Sequence, residues 1–203
     1  MPIKDLIAPR RRAIRRSRAA VAALGLICLL ATPPAVAEPL DIAQNFAASL
    51  TAMPAPPLGV TGSFYVPAYS SVSMSKGKLR ADFSVTLSVH NASETMPLVI
   101  RRIAYFDTAG QLVESFLKAP VALKPFSTIE AYVASTDIRG GTGANFVVDW
   151  AASGEIAEPV VEALMIGSIA SGHYAFITQG RPVKTVGKTP DKTPTAPATP
   201  AGK

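Results

Sequence analysis

The sequence predicts an all-β domain, an antiparallel immunoglobulin-like β-sandwich, placed behind an export signal. Three observations carry this. Leu79, Ala81, Phe83, Val85, Leu87 and Val89 alternate with Arg80, Asp82, Ser84, Thr86, Ser88 and His90, the period of two that a half-buried strand requires. About eight such short segments follow one another between turn signals, and no long helical pattern separates them. The single cysteine, Cys28, lies ahead of all of them, so the domain is expected to hold together without a disulfide. A small β-barrel is the alternative, because periodicity does not say whether a sheet closes on itself.

Taken in order, residues 1–37 read as a signal peptide. The basic run Arg10 to Arg18 is followed by the apolar stretch Ala19 to Ala31, then Pro33 and Pro34, then the small-residue site Ala35-Val36-Ala37. Thirteen apolar residues fall short of the ~20 that a spanning helix needs, so cleavage before Glu38 is expected rather than a retained anchor. The mature chain would then be periplasmic or extracellular, by a Sec or a twin-arginine route, and would carry no transmembrane span. Removing the leader also removes the charge. Seven of the 20 Lys and Arg and one of the 14 acids lie in it, so the remainder has 13 of each. Residues 38–183 hold nine bases and twelve acids, which gives no concentrated basic face for nucleic acid.

Residues 38–60 read as a short helix and a Pro-rich linker. Ile42, Phe46 and Leu50 recur every four positions behind Asp41 as N-cap, and Met53-Pro54-Ala55-Pro56-Pro57 ends the pattern. Strands are expected at Phe64–Tyr69, Leu79–His90, Leu98–Phe106, Gln111–Leu117, Thr128–Ala134, Asn145–Ala151, Pro159–Ile166 and His173–Thr178, with Asp107-Thr108-Ala109-Gly110 as a turn. The sandwich domain spans 61–183. Residues 184–203 repeat Lys, Thr, Pro and Ala without periodicity and are expected to be disordered.

Chemistry is sparse. There is no Gly-x-Ser-x-Gly elbow, and His90 and His173 have no ligand spacing between them. Glu158 and Glu162 stand four apart, about 13 Å on a strand, too far for a glycosidase pair. Two features stand out. Gly140, Gly141 and Gly143 form a Gly-rich loop bounded by Asp137 and Asn145, which could cradle an anion or hold calcium but more simply needs positive φ. Glu162 lies on a strand with apolar residues on both faces, which predicts a central, buried strand and a partner for the carboxylate. Arg101 or Arg102 could supply it, and as neighbours on a strand they should point to opposite faces, so at most one can serve. Trp150, in phase with Phe146 and Val148, reads as core.

Several clusters together are similar to a known family. These are Tyr65-Val66-Pro67 with Tyr69-Ser70, Leu87-Ser88-Val89 with Asn91 and Ser93, Tyr105-Phe106-Asp107 with Gly110, Gly140 to Phe146 with Trp150, and Pro159 with Glu162-Ala163 and Met165-Ile166-Gly167. Over roughly residues 64–182 they resemble the bacterial exported domain of unknown function 3124 (DUF3124). The resemblance implies export and domain limits, and it implies no activity. The resulting expectation is a non-catalytic binding or assembly module of the cell envelope, without cofactor, catalytic residues or metal, whose partner is an envelope protein or ligand. The alternative is an enzyme or metal-dependent binder using Asp137, Gly140, Gly141, Gly143 and Asn145 with Glu162.

Overall fold

The computed structural model describes residues 41–169 and 171–187. The expected signal peptide, its cleavage site and most of the expected tail lie outside these residues. All strand pairings are antiparallel, and they form two open sheets, so the sandwich and not the closed barrel is the architecture.

The first sheet holds β1 (Leu50–Thr51), β2 (Val60–Pro67), β5 (Leu98–Phe106), β6 (Leu112–Ser115), β7 (Val121–Leu123), β9 (Asn145–Ala152) and β12 (Arg181–Val186). Its order is β1-β7-β5-β9-β2-β12, with β6 also paired to β5. The second holds β3 (Ser71–Met74), β4 (Leu79–His90), β8 (Thr128–Val133), β10 (Val160–Ile169) and β11 (Gly172–Gln179), ordered β11-β10-β4-β3 with β8 also on β4. Alternation places Phe83, Val85, Leu87 and Val89 of β4 on one inner face. Phe64, Val66, Ile100, Ile103, Tyr105, Phe146, Val148 and Trp150 meet them from the other, and Val161, Ala163 and Met165 of β10 complete the layer. Burying this apolar area at about 25 cal/mol per Å² is the driving force that stands in for disulfides.

Four findings differ from the sequence expectation. The helix is one turn, α1 (Ile42–Asn45), capped by Asp41, whose carboxylate accepts from the Ala43 N–H. It gives way to a 3-10 turn over Ala47–Ser49, whose end is tied to the segment after β7: Ala48 O accepts Lys124 Nζ, and Ser49 O accepts the Lys124 N–H and the Ser127 hydroxyl. Ile42 is buried in the core, and Leu50, expected in the helix, begins β1, which joins the first sheet beside β7. Lys184, Thr185 and Val186, expected to be disordered, continue β12 along β2 as far as Thr61. Finally, Arg101 and Arg102 do not point to opposite faces. The register skips one residue between Ile100 and Arg102, a β-bulge that leaves both arginines exposed and returns Ile103 to the core.

Candidate functional site

The Gly-rich loop links β8 to β9 and packs against two turns. Gly140 O accepts from the Thr108 N–H (3.0 Å) and the Thr108 hydroxyl (2.9 Å), and that hydroxyl accepts from the Gly143 N–H (2.9 Å). Gly141 has φ +72° and exchanges hydrogen bonds with Ser70, donating its N–H to the hydroxyl and accepting the Ser70 N–H. The Thr142 hydroxyl donates to Ser71 O, and Ala144 O accepts from Ala68 N–H. The amides of Gly141 and Gly143, two that an anion would require, are therefore already committed within the protein. Gly140 lies directly against the buried Tyr105 hydroxyl, where a Cβ would have no room. Burial pushes that hydroxyl above its ordinary pKa, opposed by the nearby Ser70 hydroxyl, which lies against it without completing a hydrogen bond of standard geometry.

The loop's acid is likewise engaged. Asp137 binds the Arg139 guanidinium through two nitrogens, at 2.8 and 2.7 Å, and accepts the Arg139 N–H; these bonds hold its carboxyl below the usual aspartate range against the smaller effect of burial. Asn145 Nδ2 turns back to Gly143 O. Among the described residues there is no group of three or more His, Cys, Asp or Glu side chains placed to hold a metal ion.

Glu162 is not part of this arrangement. It pairs across the sheet with Ser88 and Gln179, five residues along β10 from Gly167, whose partner Phe83 donates to Ser70 O beneath the loop. Five strand residues span about 16 Å. Its expected partners are on the other sheet, where Arg102 Nε binds Asp149 at 2.7 Å. β10 is central in hydrogen bonding, but its outer face is uncovered: Val160 and Ile166 are about half exposed, and Glu162 beside them is half-buried. The carboxylate needs no cation because water reaches it. Glu162→Gln should therefore change stability by less than ~0.5 kcal/mol, checked by urea unfolding at neutral pH. A loss of several times that would restore a structural ion pair as the explanation.

His90 Nδ1 meets the Thr128 hydroxyl, and His173 Nδ1 meets the Ser168 hydroxyl, both at 2.8 Å. Each sits beside a single hydroxyl, which orients the ring.

The site that sequence reasoning missed is an edge. β11 pairs with β10 on one side, and its other side has no strand partner among the described residues. None of its eight residues is Asp, Glu, Lys or Arg, and it has no bulge and no proline. Phe176 anchors it by an edge-on contact with Phe83 (5.3 Å) and a tilted one with Tyr69 (5.9 Å). Tyr174 and Ile177, on opposite faces, remain 47% and 57% exposed. The outer row Ile177–Leu164–Thr86–Tyr132 continues this apolar surface over four strands. The neighbouring edge strand β12 is built differently: Arg181, Pro182, a register shift and Lys184 all discourage pairing there. The strand was expected at His173–Thr178, but its place at the edge of a sheet depends on the pairing of the whole fold and not on its own residues.

Comparison with known proteins gives three results. The model of a family described as protein of unknown function (DUF3124) matches residues 61–183. No curated protein matches the chain. A solved structure, titled as the crystal structure of Thermotoga maritima 1070, is similar at 11% identity and a TM-score of 0.36, covering 59% of this chain and 92% of that one.

Proposed function

The chain belongs to the DUF3124 family of proteins of unknown function, and from that premise we propose that it is a non-catalytic binding or assembly module of the cell envelope, which receives an extended segment of another envelope protein along β11. The observation that carries this is the contrast between the two edges. A long, regular, uncharged edge strand invites pairing, and proteins normally blunt such edges with charge, proline or bulges. β12 has all three, and β11 has none. An added strand would gain main-chain hydrogen bonds along β11, while Tyr174 and Ile177 would meet its side chains on the two faces. The export reading of residues 1–37 supports an envelope location, and it places the mature N-terminus at Glu38.

The test is a photo-crosslinker at Ile177 in the full-length chain, expressed in cells. The expected result is one discrete crosslinked species in the envelope fraction, whose partner maps to an extended segment and whose own N-terminus is Glu38 by mass spectrometry. The same probe at Leu79, equally exposed but on another strand, should give none. Ile177→Lys should reduce the yield of the native complex by about tenfold without lowering the melting temperature, because it places a charge at the pairing edge. Equal crosslinking at Leu79, or an Ile177→Lys chain that assembles normally, would remove β11 from the function. Crosslinks to a second copy of the chain would make it a self-assembly edge instead.

A further inference from the structure

We propose that the outer face of the first sheet carries a second, separate site, an oxyanion-binding groove formed by Arg101, Arg102 and Lys184 around Ser63 and Asp149. The groove has a volume of about 450 Å³, and its floor includes Thr61, Ser63 and Asp149. One cross-strand row builds it: Lys184 on β12 pairs with Ser63 on β2, Ser63 with Asp149 on β9, and Asp149 with Arg102 on β5. Strands lie about 4.8 Å apart, so the backbones of Lys184 and Arg102 are about 14 Å apart, and two long side chains can bring their charges together over the middle of the row.

Both ends of this row are set by irregularities. The register shift in β12 between Pro182 and Lys184 moves Lys184 from opposite Gly62, whose side faces the core, to opposite Ser63 on the outer face. The bulge in β5 brings Arg101 out beside Arg102. Bulges that re-aim side chains recur beside binding sites. Here two of them, on strands far apart in sequence, deliver cations to one groove.

The one acid in the groove is already satisfied. Asp149 Oδ1 accepts the Ser63 hydroxyl at 2.6 Å, and Oδ2 accepts Arg102 Nε at 2.7 Å. Because Arg102 is held by Nε, its two terminal nitrogens have no partner among the described residues, and the planar head is fixed with its donors available. Arg101 and Lys184 have no carboxylate partner among the described residues. Three cations against one acid make this a local positive patch on a domain whose residues 61–186 hold ten bases and ten acids. An oriented guanidinium flanked by two further cations suits a phosphate or carboxylate group, bound by charge-assisted hydrogen bonds.

The test is a residue-resolved titration of the isotope-labelled full-length chain by NMR. Residue resolution matters because the leader carries seven bases of its own. Sodium phosphate and sodium succinate, each at constant ionic strength, are the two probes, with chloride as the control. The expected result is saturable shifts of the Thr61, Ser63 and Asp149 amides with at least one probe and none with chloride; the stronger probe identifies the anion class. Arg101→Gln with Lys184→Gln should weaken binding by at least about tenfold and leave the melting temperature unchanged, since neither side chain is paired. Arg101→Lys should recover part of the affinity. Linear drift without saturation, equal response to chloride, or an unaffected double variant would each overturn the site. None of these outcomes bears on β11, which lies in the other sheet.

Discussion

Gly140→Ala should cost the fold about 3 kcal/mol, and Tyr105→Phe in the same chain should return a substantial part of that loss. A Cβ on Gly140 would overlap the Tyr105 Oη, and would stand 2.6 Å from its Cζ and 2.7 Å from the Ala144 Cβ. The ring cannot swing away, because Tyr105 is fully buried and packed on Phe146 at 4.8 Å. Nor can the loop rise easily, since Thr108 and Ser70 hold it at Gly140, Gly141 and Gly143. Tyr105→Phe by itself should be neutral or stabilising, because it deletes a buried hydroxyl that completes no hydrogen bond of standard geometry among the described residues. The two changes should then couple by about 1 to 2 kcal/mol in urea unfolding, the remainder reflecting the ring and Ala144 contacts that persist. Strict additivity would show that Gly140 is required for some reason other than the tyrosine. Gly141→Ala makes a useful comparison. Its strain comes from φ +72° and a 2.8 Å approach to the Thr108 hydroxyl, and it should not respond to Tyr105→Phe.

This pair also shows what the sequence could and could not disclose. Strand β4 and strand β5 have the expected bounds, because one alternates strictly and the other is a continuous apolar run between turn signals. The three-residue β7 and the serine-rich β3 have no such pattern, and their pairing depends on partners more than 70 residues apart for β1 with β7 or on a tight local hairpin for β3 with β4. β12 was hidden by composition. Lys184 and Thr185 resemble the tail that follows, and only the register against Ser63 and Gly62 makes them a strand. The Arg101-Arg102 pair carried a readable hint, since two adjacent charges between apolar residues break the period of two and a bulge is the cheapest way to expose both. Glu162 misled for the opposite reason. Apolar residues on both sides of a strand predict burial on both sides, whereas no layer among the described residues covers the outer face of the second sheet. The positive φ expected of the Gly-rich loop falls at Gly141, but the reason for glycine at position 140 is steric and involves a tyrosine 35 residues away.

The largest effect of a single-atom change is expected at Asn91, where β4 ends. The residue is 1% exposed, and its side-chain amide nitrogen lies 2.8 Å from Met96 O, 3.3 Å from Leu123 O and 3.0 Å from Lys124 O. Its Oδ1 accepts the Ser93 N–H, and its backbone N–H donates to Ser127 O. One amide thus ties the β4–β5 turn to the segment between β7 and β8. Asn91→Asp keeps the shape and the bond to Ser93 but directs an oxygen at three carbonyl oxygens. When ionised it is an uncompensated buried charge, costing about 3 to 5 kcal/mol. When protonated it can donate once, and most of the penalty disappears. The folded state therefore raises the carboxyl pKa, so it holds a proton that the unfolded chain, with an aspartate pKa near ~3.9, releases. The penalty is smallest below ~3.9, grows as pH rises toward the folded-state value, and is constant above it. Asn91→Leu removes the donors without adding a titrating group, so its cost should be large and should not grow with pH in this way. Unfolding by urea from acidic to neutral pH separates these cases. A difference between wild type and Asn91→Asp that stays flat over that range would show that the amide is not the donor joining the two turns.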